Sequence, residues 1–136
     1  MKQKRLLDSF ALLAYLNKEP GYEMVKEVLF DAQVSGGPLL MNEINVGETY
    51  YILSRRRGVK SAEYFLDTIL AGLPVKIVPN DFNHVIAAAR IKARYPLSFA
   101  DCFAVATAMS EGAAVMTGDP EFKEVEHLTK VEWLII

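Results

Sequence analysis

Short apolar runs alternate with longer segments of helical spacing along the chain. The apolar runs predict five strands, at residues 5–9, 39–44, 75–78, 113–117 and 131–136. Apolar residues that recur every three or four positions predict six helices, at residues 10–17, 21–35, 46–58, 61–72, 81–95 and 99–112. Strands that alternate with helices are typical of a parallel sheet covered on both faces. The pattern therefore predicts one α/β domain over residues 1–136, with a central parallel sheet of about five strands.

The composition fits a globular domain, because 51% of the 136 residues are hydrophobic and 24% are charged. Cys102 is the only cysteine, which excludes an internal disulfide and favours a reducing cytoplasm. No apolar run reaches the roughly 18 residues of a membrane span, so no membrane association is expected. A net charge of −2 argues against bulk attraction to nucleic acid, but it leaves room for a local basic patch.

One acid stands alone in a strongly apolar segment. Between Tyr95 and Ser110 the only charged residue is Asp101. A carboxylate that enters a core is costly unless it is paired, hydrogen-bonded or bound to a metal. Asp101 therefore either caps a helix or belongs to a functional site.

Three further acids lie near the ends of predicted strands. Asp8 ends the first strand, Asp119 follows the fourth, and Glu48 lies in the first turn of the helix predicted after the second. Helices that follow parallel strands begin at the carboxyl edge of the sheet, where open α/β folds place their ligands. We therefore expect these three acids to share that edge. Asp101 is assigned to the same place on chemical grounds and not from topology, since two helices follow the third strand and Asp101 opens the second of them.

Each acid taken alone also fits a helix cap. Ser98-x-x-Asp101 and Asn45-x-x-Glu48 resemble capping boxes, and Asp119 before Pro120 is typical of an N-cap. As a set, however, carboxylates from several segments suit a site for Mg²⁺ or Mn²⁺, which prefer oxygen ligands. The motifs that other catalytic mechanisms require are missing, since the sequence has no phosphate-binding glycine loop, serine elbow or paired-cysteine motif.

Four segments together resemble the motifs of PIN-domain ribonucleases, in the same order and spacing. They are LLDSFALLAYL with Asp8, NVGETYYIL with Glu48, LSFADCFAVATA with Asp101, and VMTGDPEF with Asp119. The resemblance covers essentially the whole chain, and at this length it is to VapC-like toxins of toxin–antitoxin pairs. It implies a PIN-like central sheet with helices on both faces.

The resemblance also implies a mechanism and a set of site residues. Divalent Mg²⁺ or Mn²⁺ activates a water that cleaves RNA in line and leaves 5′-phosphate and 3′-hydroxyl ends. The implied catalytic residues and metal ligands are Asp8, Glu48, Asp101 and Asp119, with Asp8 and Asp101 in the central roles. Thr117 is expected to hold Asp119 from outside the metal's own ligand set. Glu43 also lies near a strand end and could be taken for the second acid. Glu48 is preferred because it lies in the helix opening, off the stripe of Val46, Tyr50 and Leu53, and Glu43 is then a neighbour of the site or an ion-pair partner.

The expected partners are an RNA substrate, a second copy of the chain and a cognate antitoxin. The densest basic run, at residues 54–60, is most simply a solvated helix end, where cations suit the helix dipole. Arg55 lies seven residues after Glu48, on the same helical face, and is the candidate for phosphate contact.

Two other functions compete with the nuclease. A receiver-type phospho-acceptor domain has a similar length and acids at strand ends, but it requires an adjacent acid pair, whereas Ser9 and Phe10 follow Asp8. A PIN-like domain that has lost activity and serves as a binding module is the second alternative, and the intact set of four acids argues against it.

Overall fold

The computed structural model describes residues 3–37 and 39–136, so residues 1, 2 and 38 of the predicted domain lie outside the described part. The described residues contain five strands: β1 (Arg5–Leu7), β2 (Leu39–Asn42), β3 (Lys76–Val78), β4 (Ala114–Thr117) and β5 (Val131–Trp133). They also contain six α-helices: α1 (Ser9–Leu16), α2 (Tyr22–Ser35), α3 (Glu43–Arg57), α4 (Val59–Ala71), α5 (Phe82–Arg94) and α6 (Phe99–Glu111). A short 3-10 helix, Pro120–Val125, follows β4.

The strands form one parallel sheet in the order β3-β2-β1-β4-β5. β1 is central, and its Leu6 aligns with Leu40 of β2 and with Val115 of β4. The chain adds β2 and β3 on one side of β1 and then returns to add β4 on the other side. Open parallel sheets bind their ligands beyond the carboxyl ends of the strands, at such a reversal of strand order. This topology directs attention to the carboxyl ends of β1 and β4.

Alternating side chains on the central strands divide the core into two layers. Leu7 and Met116 pack into the layer that α1 to α4 complete on one face of the sheet. Leu6 and Val115 pack into the layer that α5 and α6 complete on the opposite face. Burial of each such aliphatic side chain contributes roughly 1.5–3 kcal/mol, so both layers stabilise the sheet that carries the acids.

The predicted strands and helices are all present, and the parallel sheet with helices on both faces confirms the predicted fold class. The strand predicted over 131–136 ends at Trp133, and the strand predicted over 39–44 ends at Asn42. The Asn42 side chain accepts the backbone N–H of Ile44 at 2.9 Å, so it caps α3, which begins at Glu43 rather than at residue 46. Among the described helices, none is long and apolar enough to cross a bilayer.

Candidate active site

A cleft of about 490 Å³ opens at the carboxyl edge of the sheet, beside the ends of β1 and β4. Helices α1, α3 and α6 contribute to its walls together with the turn after β4. Six acids line this cleft: Asp8, Glu19, Glu48, Asp101, Asp119 and Glu121. The four acids that the sequence singled out therefore converge, although they come from four separate segments.

Asp8 lies at the floor of the cleft, directly after β1, and is 1% exposed. Its Oδ1 accepts the backbone N–H of Ala11 at 2.8 Å and caps α1. Its Oδ2 accepts the hydroxyl of Thr117 at 2.5 Å. Burial raises the pKa of Asp8 from 3.8 to about 8, against the lowering effect of these two hydrogen bonds. The negative charges of Asp101 and Asp119 raise that pKa further.

Thr117, the last residue of β4, joins two of the acidic segments. Besides donating to Asp8, its hydroxyl accepts the backbone N–H of Asp119 at 3.0 Å. The sequence suggested that Thr117 would hold Asp119, and the structure places the contact at the Asp119 backbone. Because Thr117 is fully buried, its hydroxyl has a fixed position between the ends of β1 and β4.

Asp101 lies in the first turn of α6 and is 6% exposed. As the capping motif predicted, Ser98 is the N-cap residue, and its hydroxyl accepts the backbone N–H of Asp101 at 3.2 Å. Burial raises the pKa of Asp101 to about 7, while Ser98 lowers it and the charges of Asp119, Glu48 and Glu121 add to the increase. A capping contact and a place in the acidic cleft therefore occur at the same residue.

Glu48 reaches the cleft from the second turn of α3, not from the first turn as predicted, because α3 begins earlier. The half-buried Glu48 accepts the hydroxyl of Ser9 at 2.5 Å through its Oε1. Ser9 was not among the predicted site residues. Its signal was its position, since the residue that follows an acid at a strand end begins the next helix at the same edge.

Asn45 does not form the capping box suggested for Asn45-x-x-Glu48, since Asn42 caps α3 instead. The fully buried Asn45 side chain donates from Nδ2 to the carbonyl of Ala100 at 3.1 Å. This bond ties α3 to the first turn of α6, one residue before Asp101. Asn45 thereby sets the position of the helix that carries Glu48 relative to the helix that carries Asp101.

Asp119 begins the 3-10 helix after β4, where it accepts the backbone N–H of Glu121 at 3.0 Å. This contact and Pro120 agree with the predicted N-cap. Carboxylate oxygens of Asp101, Asp119 and Glu121 all lie within 4.8 Å of one another. Glu121 was not among the predicted site residues, and its only signal was its place in the turn that Asp119 begins.

Two charged residues considered from the sequence lie outside the cleft lining. Glu43 accepts the backbone N–H of Asn80 at 2.7 Å and so connects α3 to the segment after β3. The guanidinium of Arg55 lies 5.3 Å from the ring centre of Tyr51. The basic residue that lines the cleft is Arg56, which follows Glu48 by eight residues on α3. The phosphate contact predicted for Arg55 stays a prediction, and Arg56 is a second candidate because it lines the cleft.

A match to a known protein family agrees with the α/β fold and the acidic cleft. The sequence profile of the PIN domain matches residues 5–128. No curated protein gives a significant sequence match.

Several solved structures share the fold. The DNA-bound VapBC of Salmonella typhimurium superposes with a TM-score of 0.76 at 17% identity, covering 96% of this chain and 98% of that one. VapC20 of Mycobacterium tuberculosis, a toxin that cleaves the sarcin–ricin loop, gives a TM-score of 0.72 at 20% identity, covering 88% and 93%. VapBC-5 of M. tuberculosis, from a family of toxin–antitoxin systems, gives 0.61 at 17% identity, covering 99% and 100%.

Proposed function

This chain belongs to the PIN domain family, and from that premise we propose that it is a metal-dependent endoribonuclease and the toxin of a toxin–antitoxin pair. The observation that carries the proposal is the convergence of Asp8, Glu48, Asp101 and Asp119 on one cleft at the end of β1 and β4. Like charges gathered in a partly buried cleft oppose folding unless a cation offsets them. Their placement therefore favours a functional role over four independent helix caps.

The residues present fit a divalent metal. Asp101, Asp119 and Glu121 bring carboxylate oxygens within 4.8 Å of one another, close enough for one ion to contact all three. Hard cations such as Mg²⁺ and Mn²⁺ prefer such oxygen ligands. We assign Asp8 and Asp101 the central ligand roles, with Glu48 and Asp119 completing the set, and we add Glu121 as a further candidate ligand. When bound, the ion supplies positive charge that acidifies water and offsets charge developing on the phosphate.

The surrounding side chains hold these carboxylates in place. Thr117 fixes one oxygen of Asp8 and the backbone of Asp119, and Ser9 fixes one oxygen of Glu48. Positioning contacts of this kind orient ligands before the metal binds, which reduces the reorganisation needed for catalysis. Arg56, on the wall of the cleft, is placed to contact a phosphate of the RNA backbone. The products proposed are 5′-phosphate and 3′-hydroxyl ends.

The proposed partners follow from the same assignment. A cognate antitoxin is supported by the fold shared with VapBC-5, which belongs to a family of toxin–antitoxin systems. A homodimer is supported by an apolar stripe on α2, where Phe30 and Val34 are 65% and 71% exposed. We place the protein in the cytoplasm, where its RNA substrate and antitoxin would meet it and where Cys102 stays reduced.

Strand order argues against the receiver-type alternative. Receiver domains are flavodoxin-like, and their strand order is 2-1-3-4-5. Here β1 lies between β2 and β4, which gives the order 3-2-1-4-5. The inactive binding module has the same fold as the nuclease, so only an activity measurement separates those two.

The test is cleavage of a labelled single-stranded RNA pool by purified protein with Mg²⁺, with Mn²⁺ and with EDTA. Wild type should cleave only with metal, whereas Asp101→Asn should not cleave. Glu43→Gln is the matched control, because it neutralises an acid on α3 outside the cleft and should retain activity. Wild-type protein that is folded but inactive with both metals would support the binding module instead.

Metal binding gives a second readout that does not depend on the RNA sequence. An ion that binds only the folded protein stabilises it by about 2.7 kcal/mol when its concentration is 100 times its Kd. Mn²⁺ should therefore raise the Tm of wild type and of Glu43→Gln, but not that of Asp101→Asn. Equal responses in all three proteins would contradict the ligand assignment.

A further inference from the structure

Phe10 is an aromatic residue on the wall of the acidic cleft. It lies two residues after Asp8 in the first turn of α1, and its side chain lines the cleft together with Leu13 and Ile52. Although α1 is otherwise largely buried, Phe10 is 37% exposed. The sequence analysis gave it no role. An exposed ring beside buried carboxylates therefore needs a separate explanation.

The ring is held in place by close packing on Gly118. A Cβ added at Gly118 would lie 2.4 Å from Cε1 of Phe10 and 2.9 Å from Cδ1 of Ile136, which is closer than real atoms approach. One edge of the ring thus lies against the backbone of the turn that presents Asp119. Phe10 is fixed between the segments of Asp8 and Asp119, and its exposed part, 37% of the residue, faces the cleft and is available to a ligand.

We propose that Phe10 is a stacking surface for an unpaired RNA base next to the scissile phosphate. The inference rests on the nuclease function proposed above, and it names a substrate contact that the acids themselves do not provide. Carboxylates and their metal act on the phosphodiester, whereas an aromatic ring contacts bases, since every base has a π-face. Phe10 and Arg56, the residue proposed to contact phosphate, line the same cleft. A single RNA strand can therefore reach both side chains.

Stacking on Phe10 has two consequences. The target nucleotide must be unpaired, because a base in a duplex cannot leave its neighbours to cover a protein ring without loss of pairing. Base identity at the stacked position matters little, because stacking reads the ring face and not the hydrogen-bonding edge. The cleft is thereby specific for single-stranded segments.

The test compares Phe10→Leu, which keeps apolar packing over Gly118, with Phe10→Tyr, which keeps the ring. The matched control is Phe82→Leu, because Phe82 is 74% exposed and does not line the cleft. The probe is a labelled single-stranded RNA oligonucleotide that wild type cleaves at one position. Phe10→Leu should lower kcat/KM about tenfold, the scale of one stacked base. Phe10→Tyr and Phe82→Leu should cleave as wild type does.

Two further RNAs separate base stacking on Phe10 from packing of Phe10 within the protein. One carries an abasic nucleotide on the 5′ side of the scissile phosphate, and the other carries it on the 3′ side. At one of the two positions, wild type should lose about the same factor as Phe10→Leu loses on intact RNA. Phe10→Leu should lose nothing further on that abasic RNA. Two results would overturn the stacking role. In the first, the losses from Phe10→Leu and from the abasic nucleotide multiply as independent effects. In the second, wild type cleaves both abasic RNAs as fast as intact RNA. If wild type cleaves no RNA at all, the nuclease proposal itself fails, and that result is distinct from the others.

Discussion

At the carboxyl edge of the sheet, the neighbouring strands β2 and β3 lead into a neutral polar cluster, whereas β1 and β4 lead into the acidic cleft. The neutral cluster consists of Asn42, Asn80 and Thr107. Asn42 and Asn80 exchange amide hydrogen bonds of 2.7 and 2.9 Å, and Asn42 also donates to Thr107 at 2.8 Å. Asn42 and Thr107 are almost completely buried. Every contact in this cluster matches a donor with an acceptor, so its burial carries little electrostatic cost.

The acidic cleft lacks that balance. Its carboxylates offer acceptors in excess, and burial raises the pKa values of Asp8 and Asp101 to about 8 and about 7. A site that stabilises only the fold would be better built like the neutral cluster. The comparison supports the proposal that the second cluster, unlike the first, exchanges stability for the capacity to bind a cation.

The replacement of Asp8 by asparagine should give the largest effect. Asp8→Asn keeps the shape of the side chain and the acceptor for the Ala11 backbone N–H, but it removes the negative charge that a metal requires. RNA cleavage should fall about 100-fold or more, since the loss of groups that merely support metal ligands already costs up to that factor. Thermal unfolding without metal, measured above pH 8 where Asp8 is ionised in the folded protein, should show equal or higher stability, because a buried charge is gone.

A purely structural Asp8 would give the opposite pattern. Activity per folded molecule would then be retained, and the Tm would fall. Expression in cells provides an independent comparison, since the proposed toxin should arrest growth without its antitoxin, and Asp8→Asn should not.

The pH dependence of stability should come from the acidic cleft and not from the neutral cluster, because asparagine and threonine side chains do not titrate. A carboxyl whose pKa is raised in the folded state keeps its proton where the unfolded chain has lost it. Between about pH 4 and pH 8 the free energy of unfolding of the metal-free protein should therefore fall as pH rises, through Asp8 and Asp101. Urea titrations at successive pH values should show this decline in wild type and a weaker one in Asp8→Asn. A stability that rises over the same range would contradict the raised pKa values.

A substitution in the neutral cluster should lower stability and leave activity unchanged, which is the reverse of the effect expected for Asp8→Asn. Asn42→Ala removes the α3 cap and leaves partners on Asn80 and Thr107 unmatched, so unfolding free energy should drop by about 1–3 kcal/mol. RNA cleavage per folded molecule should remain close to that of wild type. Chemical denaturation and active-site titration measure the two quantities separately. A loss of activity without a loss of stability would mean that the neutral cluster belongs to the site.

Most of the fold was predictable because hydrophobic periodicity determines which strands are buried on both faces. The carboxyl-edge rule also predicts that Asp8, Glu48 and Asp119 lie at one edge of the sheet. The boundaries of the helices and strands are harder to predict from the sequence. Asn42 and Asn45 are both plausible caps, and only the hydrogen bond to Ile44 distinguishes the true one.

Parts of the site depended on tertiary contacts that the sequence does not encode locally. The pairing of Ser9 with Glu48 joins residues 39 positions apart, and that of Thr117 with Asp8 joins residues 109 positions apart. Glu121 joins the acids only because the 3-10 helix turns it towards Asp101. Such convergence requires the fold, whereas the positions of Asp8, Asp101 and Asp119 at helix starts require only the local pattern.

The smallest expected effect separates two adjacent arginines at the end of α3. Arg56 lines the acidic cleft, whereas Arg55 lies over the ring of Tyr51, and both side chains are exposed. Exposed cations that contact phosphate contribute modestly and are screened by salt, so Arg56→Ala should raise the KM for RNA about tenfold at low salt and less at high salt. Arg55→Ala removes the same charge from the same helix and should change KM little. Steady-state cleavage at two salt concentrations measures both variants. Equal changes would mean that α3 contributes only a diffuse positive potential, and a larger change in Arg55→Ala would restore the assignment suggested by the helical face of Glu48.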